Sequence, residues 1–121
     1  MNIQLLSIHA FVIVSLVGCA TPGELISEAS PIDLQSSQPP IMVANCIVQN
    51  GEEIYSGVSG IVRKPGGEAG RTDVLLRSGQ NPLAVVHVWE VGQGSRIRLF
   101  FGRLPSLIPG TYTERLTKGC L

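Results

Sequence analysis

Short segments of alternating apolar and polar residues, separated by turn-forming residues, constrain the fold of this 121-residue chain more than any other feature. From Ile41 onward they recur at roughly eight- to twelve-residue intervals, a spacing typical of an antiparallel all-β domain. Asn50-Gly51 predicts a hairpin turn after the first segment, because both residues tolerate positive φ. The predicted strands cover residues 41–49, 53–63, 72–77, 83–91, 95–102 and 111–117.

Two of these segments indicate how the strands are placed. Both alternating sets of residues 83–91 are largely apolar, so this strand is expected to be central and covered on both faces. In residues 95–102, Ile97 and Leu99 point to one side and Arg96 and Arg98 to the other. Six or seven short strands, with 14 Gly and 8 Pro in the chain, predict an all-β fold: a small antiparallel β-sandwich or a partly open barrel.

The N-terminal segment has a different pattern. Residues 10–18 are uncharged and mostly apolar, which is the length of a signal-peptide core and too short for a comfortable membrane span. Leu16-Val17-Gly18-Cys19 follows, with an apolar residue three positions before the cysteine and a small residue directly before it. This segment resembles the lipobox of bacterial lipoproteins.

The resemblance implies that residues 1–18 are a cleaved signal peptide and that acylated Cys19 holds the chain in a lipid bilayer. Ala20, where inner-membrane lipoproteins carry Asp, is similar to the outer-membrane class, so we expect a cell-envelope protein at the outer membrane, facing the periplasm. Met1 to Gln4 carry no Lys or Arg, and the alternative is an uncleaved anchor with an incidental cysteine.

Residues 19–40 are rich in Ser, Pro and Gln and have no sustained apolar period. Their charged side chains are Glu24, Glu28 and Asp33 only, so we expect a disordered acidic linker. The β-domain is expected to span residues 41–121, where all nine Lys and Arg of the chain lie. The net charge of zero gives no reason to expect nucleic acid as a partner.

If Cys19 carries lipid, Cys46 and Cys120 form an even pair in an oxidising compartment, and a disulfide between them is the simplest expectation. It would close a loop of about 75 residues and contribute roughly 4 to 5 kcal/mol in the chain-entropy description. Two free buried thiols in a cytosolic protein are the alternative. The cysteine spacing fits no metal motif, and we expect no metal and no cofactor.

The segment RLPSLIPGTYTERL resembles the end of carboxypeptidase-regulatory and transthyretin-like β-sandwich modules, in which a similar turn introduces the last strand. On that resemblance, Pro109 and Gly110 form the turn and Tyr112 packs inward. The order of lipid anchor, linker, β-domain and late cysteine is similar to that of small periplasmic lysozyme-inhibitor lipoproteins, although their aromatic, glycine and lysine loop is not recognisable here.

Three arginines and one tryptophan are the candidate binding residues. Arg96 and Arg98 are expected on the same side of one strand, with Arg103 shortly after it, and Trp89 lies on the preceding strand. Guanidinium groups bind phosphates and carboxylates bidentately, so the stripe could bind an anionic envelope component or a protein partner. The alternative is a solvated strand face whose arginines pair with Glu52, Glu53 or Asp73.

His87 is the one candidate catalytic base in the expected domain. Catalysis would need a nucleophile and an orienting acid from Ser78, Ser95 and Asp73, and no motif links them. A histidine packed against Trp89 is the favoured interpretation, and we expect no enzyme activity. The sequence therefore favours a non-enzymatic binding or assembly module at the envelope, with an inhibitor of a lytic enzyme as the alternative and a small hydrolase third.

Overall fold

A computed structural model describes residues 30–54, 56–63, 70–102 and 109–121. Five antiparallel strands form one open sheet in the order β1-β5-β4-β3-β2, and two helices accompany it. The elements in chain order are β1 (Ile32–Ser36), α1 (Pro40–Ile54), β2 (Val58–Arg63), β3 (Arg71–Ser78), β4 (Asn81–Val91), β5 (Gly94–Phe101) and α2 (Pro109–Thr117).

Strands β2 to β5 form a meander. The predicted strand 53–63 begins later than expected, at Val58, because Glu53 and Ile54 belong to helix α1. Two-residue turns at Gly79-Gln80 and Gly92-Gln93 join β3 to β4 and β4 to β5. The first residue of each turn is a glycine with φ of 58°, a conformation that a side chain would strain. β4 is the central strand, as predicted from its apolar sequence.

Both helices pack on one side of the sheet, which we call the inner face; the opposite side is the outer face. α1 contacts mainly β2 and β3, and α2 packs beside α1. The core between these layers contains fully buried side chains from every layer, including Ile47 of α1, Val86 and Ile97 of the sheet, and Leu116 of α2. Burial of this apolar area is the main stabilising contribution to the fold.

The predicted first strand, residues 41–49, is wrong: the segment belongs to helix α1. Its buried residues Val43, Ala44, Ile47 and Gly51 follow helical spacing, but a short apolar run does not distinguish a helix from a strand by periodicity alone. Asn50-Gly51 is part of the helix and not a hairpin turn. A Cβ at Gly51 would lie 2.9 Å from Leu76 Cδ2, so glycine permits close packing of the helix on the sheet.

The predicted last strand, residues 111–117, is also wrong, because it lies in helix α2. Pro109 and Gly110 are the first two residues of that helix and do not form a turn into a strand. Proline is favoured at such a position, since the first helical N–H groups have no partner within the helix. Tyr112 is partly buried on α2, and Leu116 supplies the fully buried side chain.

Strand β1 lies within residues 19–40, which the sequence assigned to a disordered linker. The structure instead pairs Ile32–Ser36 with β5 over five register positions. A five-residue strand whose partner lies about 60 residues later in the chain has too short a pattern to be recognised locally. The remaining expected linker up to Ala29, the expected signal peptide and Cys19 lie outside the described residues.

The coarse prediction of a β-rich antiparallel fold is confirmed, while the sandwich or barrel of six or seven strands is not. The described residues contain five strands in a single open sheet, and helices occupy the layer that a second sheet would have filled. No helix among the described residues has the length and apolar character needed to cross a membrane.

The disulfide between Cys46 and Cys120 is confirmed. It joins the middle of α1 to the residues just after α2. Cys120 is fully buried in the core. Asn50 reinforces this junction, because its side-chain amide donates hydrogen bonds to the carbonyl oxygens of Leu116 at 2.7 Å and Lys118 at 3.0 Å.

Candidate functional site

The outer face of the sheet carries most of the residues that the sequence singled out. Alternation places their side chains opposite the helix layer, and the strand register brings them into adjacent rows. One row runs from β1 to β2 and the other from β1 to β3. The first consists of Asp33, Arg98, His87, Asp73 and Arg63, and the second of Gln35, Arg96, Trp89 and Arg71.

Trp89 is at the centre of the second row. The guanidinium carbon of Arg96 lies 5.6 Å from the centroid of the tryptophan ring, and that of Arg98 lies 6.0 Å from it. Both distances are in the range of cation–π attraction. The structure therefore brings together three of the four predicted binding residues. The fourth, Arg103, lies outside the described residues.

Arg98 forms an ion pair across β5 and β1. Its Nε donates to Asp33 Oδ1 at 2.7 Å, and its Nη2 donates to Asp33 Oδ2 at 3.2 Å. The hydrogen bond from Arg98 lowers the pKa of the Asp33 carboxyl, with smaller charge attractions from Arg98 and Arg96 opposed by desolvation. The same bond raises the pKa of Arg98. The charge of Arg98 is thus largely compensated within the chain by Asp33. The partners that the sequence suggested were Glu52, Glu53 and Asp73.

Asp73 compensates Arg71 in a similar way on β3. Arg71 donates from Nε to Asp73 Oδ1 at 2.8 Å and from Nη2 to Asp73 Oδ2 at 2.9 Å. His87 Nε2 is 3.9 Å from the same carboxylate. Two of the three arginines around Trp89 therefore have a bidentate carboxylate partner.

Arg96 differs from the other two arginines. Its side chain is exposed, and within the described part of the chain it forms no hydrogen bond and no ion pair shorter than 4 Å. Its close contact is the Trp89 ring, which leaves the N–H groups of the guanidinium available to an external acceptor. Among the three arginines around Trp89, Arg96 is the one without a carboxylate partner in the described part of the chain.

His87 packs between aromatic rings, as the favoured interpretation expected. Its ring centroid is 5.6 Å from that of Trp89 and 5.3 Å from that of Phe100, both in edge-on geometry. Ser95 is buried on the inner face, where its hydroxyl donates to the carbonyl oxygen of Gln38 at 2.6 Å. The structure therefore does not bring Ser95 to His87.

An apolar cluster adjoins these rows on the outer face. Val85 and Phe100 are only 5% and 6% exposed, and they pack with Leu75. Phe100 connects this cluster to the His87 ring through their edge-on contact. The described residues contain no group of three or more His, Cys, Asp or Glu side chains arranged to hold a metal ion.

Sequence reasoning missed a groove at one end of the sheet. The groove has a volume of about 640 Å³ and lies between the start of α1 and the adjacent ends of β3 and β4. Pro39, Pro40 and Ile41 form one wall, and the other includes Arg71 and Glu90. No local signal could have revealed it, because its walls are far apart in sequence. Asp33 was also not predicted as a member of the binding cluster, and Asp73, predicted as a possible partner of Arg96, Arg98 or Arg103, binds Arg71 instead.

Compared with models of known protein families and with curated proteins, the chain matches none of them.

Proposed function

We propose that this chain is a lipid-anchored envelope protein that acts as a non-enzymatic binding or assembly module, and that its outer face binds an anionic partner. The observation that carries the binding role is Arg96, an exposed guanidinium held against Trp89 and without a carboxylate partner among the described residues. Arginine in this setting binds phosphate or carboxylate bidentately while the ring limits its conformational freedom.

The envelope location is supported by two features of the chain. The lipobox-like sequence Leu16 to Cys19 provides the acylation site. The Cys46–Cys120 disulfide is typical of proteins exported to an oxidising compartment. Since β1 begins at Ile32, a chain acylated at Cys19 would hold the sheet at most about 45 Å from the bilayer surface, at about 3.5 Å per extended residue. Lipid phosphates and the carboxylates of peptidoglycan are the kinds of anion that a domain facing the periplasm would meet.

The anchor is tested by Cys19→Ala in the full chain. We expect the variant to lose incorporation of labelled palmitate and to leave the detergent phase in phase partitioning, since the thiol that would carry the lipid is gone. Thr21→Ala is the control, as it lies outside the four lipobox positions. Unchanged membrane association of Cys19→Ala would contradict the lipoprotein assignment.

The binding role is tested by Arg96→Gln, with Arg77→Gln as the matched control. Both arginines are on the outer face of the sheet, and only Arg96 contacts Trp89. Detergent-solubilised full-length protein is titrated with purified peptidoglycan and, separately, with vesicles containing phosphatidylglycerol. Loss of one charge-assisted hydrogen-bonding group should weaken binding about tenfold or more for Arg96→Gln and little for Arg77→Gln.

Equal weakening by the two variants would show that net charge, and not the Trp89 site, determines binding. The affinity of the parent protein should also fall as salt is raised, because exposed charges are screened. Stoichiometric inhibition of purified lysozyme, without binding to either anionic surface, would instead favour the inhibitor role.

A further inference from the structure

We propose that strand β1 is a self-pairing edge, through which two copies of this chain join their sheets into one antiparallel sheet of ten strands. The two free edges of the five-stranded sheet are β1 and β2. The two edge strands differ in whether their outward N–H groups have a hydrogen-bond partner. The order of residues along β1 also allows it to pair with a second copy of itself around a two-fold axis.

The direction of each backbone group follows from the turn between β4 and β5. Val91 and Gly94 close a two-residue hairpin and are therefore a hydrogen-bonded pair. Alternation then directs the backbone groups of Ile97 toward β1, where its partner is Leu34. The N–H and C=O groups of Asp33 and Gln35 consequently point away from β5, to the free edge.

The same alternation applied to the other edge directs the N–H of Gly60 outward from β2. There the structure provides an acceptor, since Gly60 N–H donates to Glu52 Oε1 of α1 at 3.2 Å. A charged side chain across an edge strand hinders pairing with another strand. Within the described residues, the outward backbone groups of Asp33 and Gln35 have no such partner. Within the described part of the chain, Asp33 and Gln35 of β1 are thus open to a second strand, while Ser37, just after β1, already donates to the carbonyl oxygen of Leu121.

Two-fold pairing of β1 with itself selects one register. If Leu34 faces Leu34 of the second copy, Asp33 faces Gln35 of that copy, and the four outward N–H groups all find carbonyl partners. Moving the register so that Asp33 faces Asp33 of the second copy would oppose like charges. Centring it on Gln35 would place Asp33 opposite Ser37, whose N–H already donates to the carbonyl oxygen of Leu121 at 3.1 Å. Charge and hydrogen bonding therefore favour the same arrangement.

Apolar side chains at this edge support a second copy as the occupant. Ile32 and Leu34 are only partly buried on the inner face, because α1 lies mainly over β2 and β3. Leu121, whose carbonyl oxygen accepts from Ser37 N–H beside the end of β1, is 46% exposed. In the proposed register the two Leu34 side chains face each other across the two-fold axis on this inner face. A pairing of five residues gives a small interface, so the dimer is of the weak, reversible class.

Disulfide trapping tests this arrangement in the full-length, detergent-solubilised protein. Leu34→Cys places two thiols at a non-hydrogen-bonded pair, where Cα atoms are about 4.5 Å apart and a disulfide can form. Mild oxidation should give a dimer on a non-reducing gel that the parent protein lacks. Ile32→Cys is the matched control on the same strand and face. Its two thiols would be about 14 Å apart, and no dimer should form.

Gln35→Pro in the Leu34→Cys chain removes an outward N–H without removing a bond to β5, so the cross-link should fall sharply while circular dichroism is retained. If this variant does not fold, Gln35→Glu replaces it. The new carboxylate would oppose Asp33 of the second copy, and cross-linking should decrease at low salt and recover at high salt.

Three results would overturn the self-pairing. The first is equal cross-linking of Leu34→Cys and Ile32→Cys. The second is no cross-link from folded Leu34→Cys whose new thiol still reacts with maleimide. The third is a disulfide-linked product that contains only some other protein, which would assign the β1 edge to a different partner. None of these outcomes depends on Arg96, so the proposed function is tested separately.

Discussion

The role inferred for Asp33 changes once its tertiary partner, Arg98, is known. In the sequence it is one of three acidic residues in an expected linker, and in the structure it binds the guanidinium of Arg98 across two strands. The pair connects the edge strand to β5 and leaves Arg96 as the uncompensated arginine beside Trp89. A residue that the sequence assigned to the linker therefore determines which arginine beside Trp89 has no carboxylate partner among the described residues.

The Asp33–Arg98 pair predicts an acid-dependent contribution to stability. Because the folded-state pKa of Asp33 is lowered from 3.8, the contribution is present above that value and is lost as pH falls through the folded pKa. We expect Asp33→Asn to lower the unfolding midpoint slightly at neutral pH, and the difference from the parent to shrink below about pH 4. Thermal unfolding at several pH values measures it, with Glu53→Gln as control. A difference that is constant across pH would contradict the ion-pair assignment.

At the scale of elements, the local sequence predicts the structure of some segments correctly and that of others wrongly. Strands β3, β4 and β5 were predictable because their alternation and glycine turns agree, which is local information. Helix α1 was not, since its apolar run with β-branched Ile and Val is compatible with a strand until its contacts with the sheet are known. Helix α2 was obscured by a proline and glycine that resembled a turn.

The disulfide acts between elements by fastening α1 to the segment after α2. Replacing both Cys46 and Cys120 with Ser should lower the free energy of unfolding by about 2 to 5 kcal/mol, because the unfolded chain regains the entropy of a 74-residue separation. Urea unfolding of the parent and the double variant measures the change, and reduction of the parent should reproduce it. A loss below about 1 kcal/mol in both experiments would mean that the hydrogen bonds of Asn50 and the core hold the helices unaided.

At the scale of the whole molecule, the folded unit begins earlier than the sequence suggested. Ser36 donates its hydroxyl proton to the carbonyl oxygen of Cys120 at 2.6 Å, and Ser95 donates to that of Gln38 at 2.6 Å. These bonds join β1 and the residues after it to the end of the chain and to β5. Residues before Ile41 are therefore part of the fold.

A pair of truncated chains checks this boundary. A chain that begins at Ser30 retains β1, whereas one that begins at Ile41 lacks it and leaves β5 as a sheet edge. We expect the shorter chain to unfold at a lower temperature and to aggregate more readily, because an unpaired edge is exposed. Both chains lack Cys19, so anchoring does not affect the comparison. Equal unfolding temperatures would show that β1 is dispensable.

The sequence alone predicted the alternating strands β3, β4 and β5, the shared face of Arg96 and Arg98, and, on the expectation that Cys19 carries lipid, the disulfide between Cys46 and Cys120. These follow from local periodicity and from residue chemistry. Only the tertiary structure decided that residues 40–54 are a helix, that β1 joins the sheet, and that Asp33 compensates Arg98 and not Arg96. The physical reason is that these outcomes depend on contacts between residues far apart in the chain, whose energies exceed the weak local preferences of the segments involved.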